Sequence, residues 1–256
     1  MIADLIHLVH GNAGSVAQGW RTDTYRALAS SAADKIHVLT VDYRGFGWST
    51  GKPTERGLII DGITLVNWAL EVANIPPERI VLLGQSLGTA VTTAVAEVFV
   101  VEFGVEFAGM VLVAAFSDLP TLMHTYSIGG LIPILAPLRP YPQLQRFFGR
   151  HIKDTWQTST RLASMVRNSK EINLILIHAK NDFNIPWKHS DVLFHTAANA
   201  TSENGLSTKQ IDGVKHHAEL GAAGWRNSWT AGTRQGGMKK IRQEVLMHGG
   251  ESIETA

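Results

Sequence analysis

A G-x-S-x-G motif, Gly84-Gln85-Ser86-Leu87-Gly88, stands between a segment typical of a buried strand and one typical of a buried helix. Residues 79–83 read RIVLL, and the residues after the motif are rich in Ala, Val and Thr as far as about Phe103. A serine at such a turn needs strained dihedrals, and small residues two positions away let strand and helix approach closely. The helix dipole and first amides would face the negative charge that develops there. This context predicts a nucleophile, Ser86, at a strand end.

Two other interpretations of this turn compete with the nucleophile. Ser86 would only cap the helix in an ordinary strand-to-helix turn, or the glycines would cradle a phosphate. The phosphate cradle is disfavoured because neither G-x-G-x-x-G nor G-x-x-x-x-G-K-[ST] occurs in the chain. The strand–turn–helix setting favours the nucleophile over the capping serine.

Short β-branched runs alternate with longer helical patterns, which favours βαβ units, a parallel sheet and one domain over residues 1–256. Strands are predicted at 5–10, 36–43, 79–83, 109–116, 174–178 and 239–248, and helices at 20–31, 58–74, 89–103, 154–166, 190–198 and 208–220. The proline-rich segment at about 120–150 interrupts this rhythm and is predicted to be either a lid or a long surface loop. Its apolar residues, 131–138, suit an acyl pocket or contact with a membrane surface.

Composition excludes several classes of function. Lys+Arg is 23 and Asp+Glu is 22, so a net charge of +1 gives no electrostatic basis for binding nucleic acid. The chain has no cysteine, which excludes disulfides, thiolate nucleophiles and Cys-ligated metals. Neither a signal peptide nor an apolar run of about 18 residues is recognisable. No metal or cofactor is expected, because Asp and His do not cluster at metal-ligand spacing.

The glycine-rich stretch that follows the first predicted strand, His10-Gly11-Asn12-Ala13-Gly14, suits an oxyanion hole. In G-x-S-x-G hydrolases, one donor is the amide after the nucleophile and the other comes from a loop after an upstream strand. These positions correspond to the backbone N–H groups of Leu87 and Asn12. The alternative for the second position is an ordinary glycine-rich turn.

Four segments resemble the α/β-hydrolase superfamily in their order and spacing: LVHGNAGS, VDYRGFGWSTG, GQSLGTA and HAKNDFNIPW. The most similar branch is that of the monoacylglycerol and lysophospholipid lipases, and the resemblance spans about residues 5–200. It implies an α/β-hydrolase fold, a mostly parallel sheet with helices on both faces. Members typically begin with two further strands, often behind a membrane anchor, and end with a closing helix. The resemblance therefore implies that these N-terminal strands and this C-terminal helix are missing.

Asp182 is the candidate acid, because it follows a predicted strand and the fold requires the order Ser, Asp, His. The family's D-x-x-[IV]-P pattern matches Asp182, Ile185 and Pro186. A carboxylate here would orient the imidazole and stabilise its protonated form. Asp118, after the preceding strand, is the second candidate, since some relatives carry their acid there. The structural alternative for Asp182 is a cap on the following turn.

The general base is the missing element of the pattern. The family usually has Gly-His-Asn after the last strand, and Glu251 stands at the expected histidine position. His248, three residues earlier, is the first candidate; His216 and His217, in a charged stretch expected to be helical, are the alternatives. The further alternative is that the chain holds no base. The remaining histidines are interpreted as structural or surface residues.

The sequence therefore predicts a serine hydrolase that cleaves lipid-like acyl esters, of the monoacylglycerol or lysophospholipid type, through an acyl-enzyme on Ser86. Its partner is then a small acyl ester, with contact to a membrane surface as a further expectation. The alternative is a catalytically impaired hydrolase-fold protein with a binding role, because a serine without its base is a weak nucleophile.

Overall fold

A computed structural model describes residues 5–9, 11, 14–19, 21–30, 32–125, 127–128, 132–133 and 153–249 of the chain. Its strands are β1 (Leu5–Val9), β2 (His37–Leu39), β3 (Ile80–Gln85), β4 (Gly109–Val113), β5 (Ser127–Ile128), β6 (Ile132–Pro133), β7 (Ile172–Ala179), β8 (His216–Glu219), β9 (Gly224–Gly232) and β10 (Met238–Leu246). Its α-helices are α1 (Arg21–Ala29), α2 (Glu55–Asn67), α3 (Leu87–Phe103), α4 (Leu119–Thr125), α5 (Thr158–Asn168), α6 (Lys188–Asn199) and α7 (Thr208–Val214).

Eight strands form one sheet in the order β2-β1-β3-β4-β7-β10-β9-β8. Neighbouring strands from β2 to β10 run parallel, whereas β9 and β8 are antiparallel to their neighbours. The short strands β5 and β6 form a separate two-stranded antiparallel sheet. The predicted α/β fold with a mostly parallel sheet is confirmed.

Helices cover both faces of the sheet. On one face α3 packs against α2 and α5, and α6 packs against α5 and β10. Helix α1 connects β1 to β2, which lies on one side of β1, whereas α3 connects β3 to β4 in the opposite direction across the sheet. Because crossovers between parallel strands are right-handed, these opposite directions place α1 and α3 on opposite faces. Helix α3 is buried on most sides, from Gly88 to Ala96 and at Phe99. Its run of Ala, Val and Thr suits this central position because a helix apolar all round belongs in a core.

The C-terminal part differs from the sequence prediction. The predicted helix at 208–220 ends at Val214, and the histidines that follow it lie on the edge strand β8. The stretch expected to be a Gly- and Trp-rich loop forms β9, which pairs with β10 along its whole length. This prediction was wrong because Asn227 breaks the apolar pattern of the strand. Its side chain is buried and donates to Gln243 Oε1 on β10 at 2.8 Å, so this polar residue is satisfied inside the sheet.

The proline-rich segment at about 120–150, predicted as a lid or a surface loop, lies largely outside the described residues. The described part consists of α4 and the antiparallel pair of β5 and β6. Most of the apolar stretch 131–138 also lies outside, so its expected role as an acyl pocket or membrane contact stays a prediction.

Candidate active site

The candidate site lies at the edge where the parallel strands end. The register aligns Gln85 of β3 with Val113 of β4, and Val113 with Ile177 of β7. Glu244 of β10 pairs with the same Ile177. The loops that follow these strands therefore emerge side by side, and this edge is where open α/β sheets bind ligands.

Ser86 connects β3 to α3 in a strained conformation, with φ 52° and ψ −121°. A non-glycine residue at such dihedrals is held there only by its surroundings, and strain of this kind clusters at functional sites. The Ser86 amide donates to the carbonyl oxygen of Val113 at 3.0 Å. Its side chain makes no capping hydrogen bond to the helix. The structure therefore disfavours the capping-serine interpretation, and the half-buried hydroxyl is available for other chemistry.

Gly84 explains how strand and helix approach each other at this turn. A Cβ atom placed on Gly84 would lie 2.5 Å from the carbonyl oxygen of Gly88 and 2.7 Å from Thr92 Oγ1. We expect Gly84→Ala to lower the free energy of unfolding by about 1–3 kcal/mol, because the added methyl group overpacks this contact. Urea unfolding of the variant measures the loss. Gly213→Ala is the matched control, because a Cβ there meets no atom within 4 Å and alanine is the better helix former.

The surroundings of Ser86 fit an oxyanion hole in part. Leu87 is the first residue of α3, so its amide has no acceptor within the helix. Gly11, in the loop after β1, passes directly beside the serine: a Cβ placed on Gly11 would lie 3.2 Å from Ser86 Cβ and 3.7 Å from Oγ. The second predicted donor, the amide of Asn12, lies outside the described residues.

Asp182 lies in the loop after β7, and its side chain is only 4% exposed. Its Oδ1 accepts hydrogen bonds from the amides of Asn184 and Ile185, both at 2.9 Å. Its Oδ2 is buried and has no hydrogen-bond partner among the described residues. A buried acceptor of this kind is costly unless a donor reaches it.

Asp118, the second candidate acid, is occupied differently. Its Oδ1 accepts from the amide of Thr121 at 2.7 Å, so it caps the start of α4. Its Oδ2 accepts from the hydroxyl of Ser117 at 3.1 Å. Both oxygens therefore have donors, whereas Asp182 keeps one free.

His248 lies two residues beyond β10, in the loop beside the one that carries Asp182. The two loops are joined: Lys180 donates its amide to Leu246 O at 2.7 Å, and Gly249 donates its amide to Asn181 Oδ1 at 3.0 Å. The His248 side chain is exposed, and within the described residues it has no hydrogen bond to Ser86 or Asp182. Glu251 lies outside the described residues.

His216 and His217 lie on β8, five strands away from β3, or roughly 24 Å at about 4.8 Å per strand. His217 donates through Nδ1 to Asn227 Oδ1 at 2.8 Å and through Nε2 to Glu219 Oε1 at 2.9 Å. These two hydrogen bonds raise the pKa of His217, and the bond to Asn227 has the larger effect. The structure does not bring either histidine together with Ser86 and Asp182.

Two histidines interpreted from sequence as structural or surface residues lie close to the acid loop. His178, at the end of β7, is 1% exposed, and His189, at the start of α6, is 5% exposed. His178 is the last residue of the stretch LILIH and lies four residues before Asp182. A lone polar residue in a buried apolar strand was the signal that could have pointed to it.

Two further properties concern the described part of the chain. There, no group of three or more His, Asp or Glu side chains is placed to hold a metal ion. None of its helices has the length and apolar character needed to span a bilayer.

Comparison with known proteins gives consistent matches. The model of the Alpha/beta hydrolase family matches residues 8–201. Protein ABHD12B of Homo sapiens is 33% identical over 198 residues, which cover 77% of this chain and 50% of that protein. Lysophosphatidylserine lipase ABHD12 of Danio rerio is 29% identical over 208 residues, covering 81% and 50%. The chain thus spans about half the length of these curated relatives.

Among solved structures, an alpha-beta hydrolase from Vibrio vulnificus superimposes with a TM-score of 0.60 at 18% identity. The match covers 76% of this chain and 62% of that one. At this identity the likeness supports the fold alone.

Proposed function

Because the chain belongs to the alpha/beta hydrolase family, we propose that it is a serine hydrolase that cleaves carboxylic esters through an acyl-enzyme on Ser86. The observation that carries this proposal is the strained backbone of Ser86, with a hydroxyl that does not cap the helix behind it. A nucleophile on a sharp strand-to-helix turn is the arrangement that acyl transfer uses on this fold.

The proposed reaction is acyl transfer in two steps. Ser86 Oγ attacks the ester carbonyl carbon and passes its proton to an imidazole, and the carbonyl oxygen becomes an oxyanion held by the amides of Leu87 and Asn12. The C–O bond to the alcohol then breaks as the imidazolium protonates the leaving oxygen. Water repeats the sequence on the acyl-enzyme and releases the carboxylic acid. Asp182 accepts the other imidazole N–H through Oδ2 and holds the ring in the productive tautomer.

His248 is the proposed base of the chain as it stands, because its loop adjoins the loop of Asp182. It is exposed and not bonded to Asp182, so we expect slow basal catalysis. Removing a triad member still leaves a rate of about 10³–10⁴ over water from the oxyanion hole and binding.

Lipid-like acyl esters, of the monoacylglycerol or lysophospholipid type, are the proposed substrates. Two observations support this class: relatives carry the name lysophosphatidylserine lipase, and the segment 131–138 is apolar. An acyl chain would bury its apolar surface against such a segment. The partner is then a small acyl ester, with contact to a membrane surface as a further part of the proposal.

Labelling with a fluorophosphonate probe tests the function. We expect the purified chain to be labelled and the label to map to the peptide that holds Ser86, with Ser86→Ala unlabelled. Monoacylglycerol, lysophospholipid and short-chain p-nitrophenyl esters then rank the acyl substrates. A folded chain that labels no faster than Ser86→Ala would contradict the proposal.

A second candidate function is a hydrolase-fold protein that binds a ligand or partner without turnover. Two features support it: Glu251 stands where the family has histidine, and Asp182 Oδ2 has no partner among the described residues. The same labelling experiment separates the two candidates, because only the hydrolase needs an activated Ser86.

A further inference from the structure

His178 and Asp182 both form hydrogen bonds with the backbone of the same residue, Ile185. Ile185 donates its amide to Asp182 Oδ1 at 2.9 Å, and its carbonyl oxygen accepts from His178 Nε2 at 2.7 Å. The Ile185 side chain is 2% exposed and belongs to the core. We propose that His178 is a positioning residue that fixes the Asp182 loop and leaves Oδ2 free for the catalytic imidazole, an inference that rests on the proposed function.

The proton on Nε2 is the key to this arrangement. His178 Nε2 lies 3.7 Å from Asp182 Oδ2, beyond hydrogen-bond range, because its N–H is directed at the carbonyl of Ile185. A carbonyl oxygen can only accept, so Nε2 must carry a proton, and in a neutral ring Nδ1 then carries none. The buried Nδ1 has no partner among the described residues, so nothing there stabilises a second proton.

The surroundings of His178 favour the neutral ring. Burial lowers its pKa, while the bond to Ile185 and the charge of Asp182 act in the opposite direction. His189, across on α6, has a pKa lowered by its own burial and by repulsion from His178, partly offset by Asp118. His189 Nδ1 accepts a hydrogen bond from the Ser117 amide N–H at 3.3 Å. A nitrogen that accepts carries no proton, so His189 is also neutral in this arrangement. On β10 the residue paired with His178 is the apolar Val245.

A charged His178 would occupy the carboxylate oxygen that the catalytic imidazole needs. A protonated ring beside Oδ2 would form an ion pair with the oxygen that the base must use. The neutral state therefore keeps Asp182 bonded on Oδ1 and open on Oδ2, the division of roles that a triad acid needs.

Two substitutions at this position separate positioning from mere packing. His178→Gln keeps an N–H donor that reaches toward Ile185 O, whereas His178→Leu keeps apolar volume and loses the donor. We expect the Ile185 amide of His178→Leu to exchange its hydrogen about tenfold faster than in the wild type, and fluorophosphonate labelling of Ser86 to slow about tenfold. His178→Gln should restore both to near the wild-type values. Equal exchange and equal labelling in His178→Leu and wild type would overturn the proposal.

Nitrogen-15 NMR of the histidine rings gives a readout that needs no catalysis. We expect His178 to carry its proton on Nε2 alone at neutral pH and to remain neutral below the ordinary histidine pKa of about 6.5. If no form of the chain is labelled, the proposed function fails, yet the ring spectrum and Ile185 exchange still decide the positioning role. A proton found on Nδ1, or a charged ring at neutral pH, would overturn it.

The pH dependence of stability has a definite sign. The unfolded chain binds a proton at His178 at higher pH than the folded chain does, so the folded state loses stability as pH falls below about 6.5 toward the depressed folded pKa. His189 contributes in the same direction. Urea unfolding of His178→Gln across this range should show a shallower loss than the wild type. An unchanged pH profile would mean that His178 is not held neutral by the fold.

Discussion

Glu251→His is expected to raise the rate at which a fluorophosphonate probe labels Ser86 by at least about 100-fold, the lower end of what a positioned general base contributes. The substitution puts an imidazole where the family's Gly-His-Asn has its histidine, three residues beyond His248. The proposed acid can accept the new imidazole, because Asp182 Oδ2 is buried and has no donor among the described residues. The increase in rate is measured by quenching the labelling reaction at set times and by following ester hydrolysis.

Two variants make this result specific. Glu251→Gln removes the carboxylate without supplying a base, so it should leave the labelling rate near that of the wild type. His248→Ala removes the proposed basal base, so it should lower the slow activity of the wild type to the residual rate of the oxyanion hole and binding, and leave Glu251→His active. If the wild type is labelled as fast as Glu251→His, and His248→Ala removes that labelling, then His248 is already an effective general base.

Asp182→Asn is expected to reduce the labelling rate of the Glu251→His protein by about 10³- to 10⁴-fold. The asparagine carbonyl can still accept the amides of Asn184 and Ile185, so the loop keeps its conformation. The amide NH₂ then occupies the position of Oδ2, and a donor there cannot accept the imidazole N–H. The ring adopts the wrong tautomer and Ser86 loses its activation.

Asp118→Asn is the matched comparison for this experiment. Its carbonyl oxygen can keep the cap on α4, and both original oxygens already have donors, so little change in labelling is expected. A large loss in Asp118→Asn with none in Asp182→Asn would exchange the roles of the two carboxylates. Urea unfolding of both variants shows whether a lost rate reflects lost folding.

The sequence alone predicted the parts of the fold that rest on local patterns. The strand into Ser86 and the helix out of it are marked by a β-branched run, two glycines and an apolar helix, and all of them lie as predicted. Asp182 was placed correctly after a strand because residues 174–177 of β7 form an apolar run.

Other features depend on contacts between distant residues. Strand β9 was missed because its buried Asn227 is tolerated only through Gln243 on β10. The role of His178 was missed because Ile185, to which it donates, lies in the next loop. The separation of His216 and His217 from Ser86 follows from the strand order, which no periodicity in the chain reveals.

The hairpin of β9 and β10 has a consequence for how the molecule folds. A loop of five residues joins these strands, whereas β10 meets β7 across about 60 residues of intervening chain. Closing a short loop costs less entropy and occurs faster than closing a long one. The hairpin is therefore a local unit, and its docking on β7 is the long-range event that unites the His248 loop with the Asp182 loop. Under the proposed function, the active site is completed only when the hairpin docks on β7, so we expect a nascent chain to stay inactive until these two loops meet.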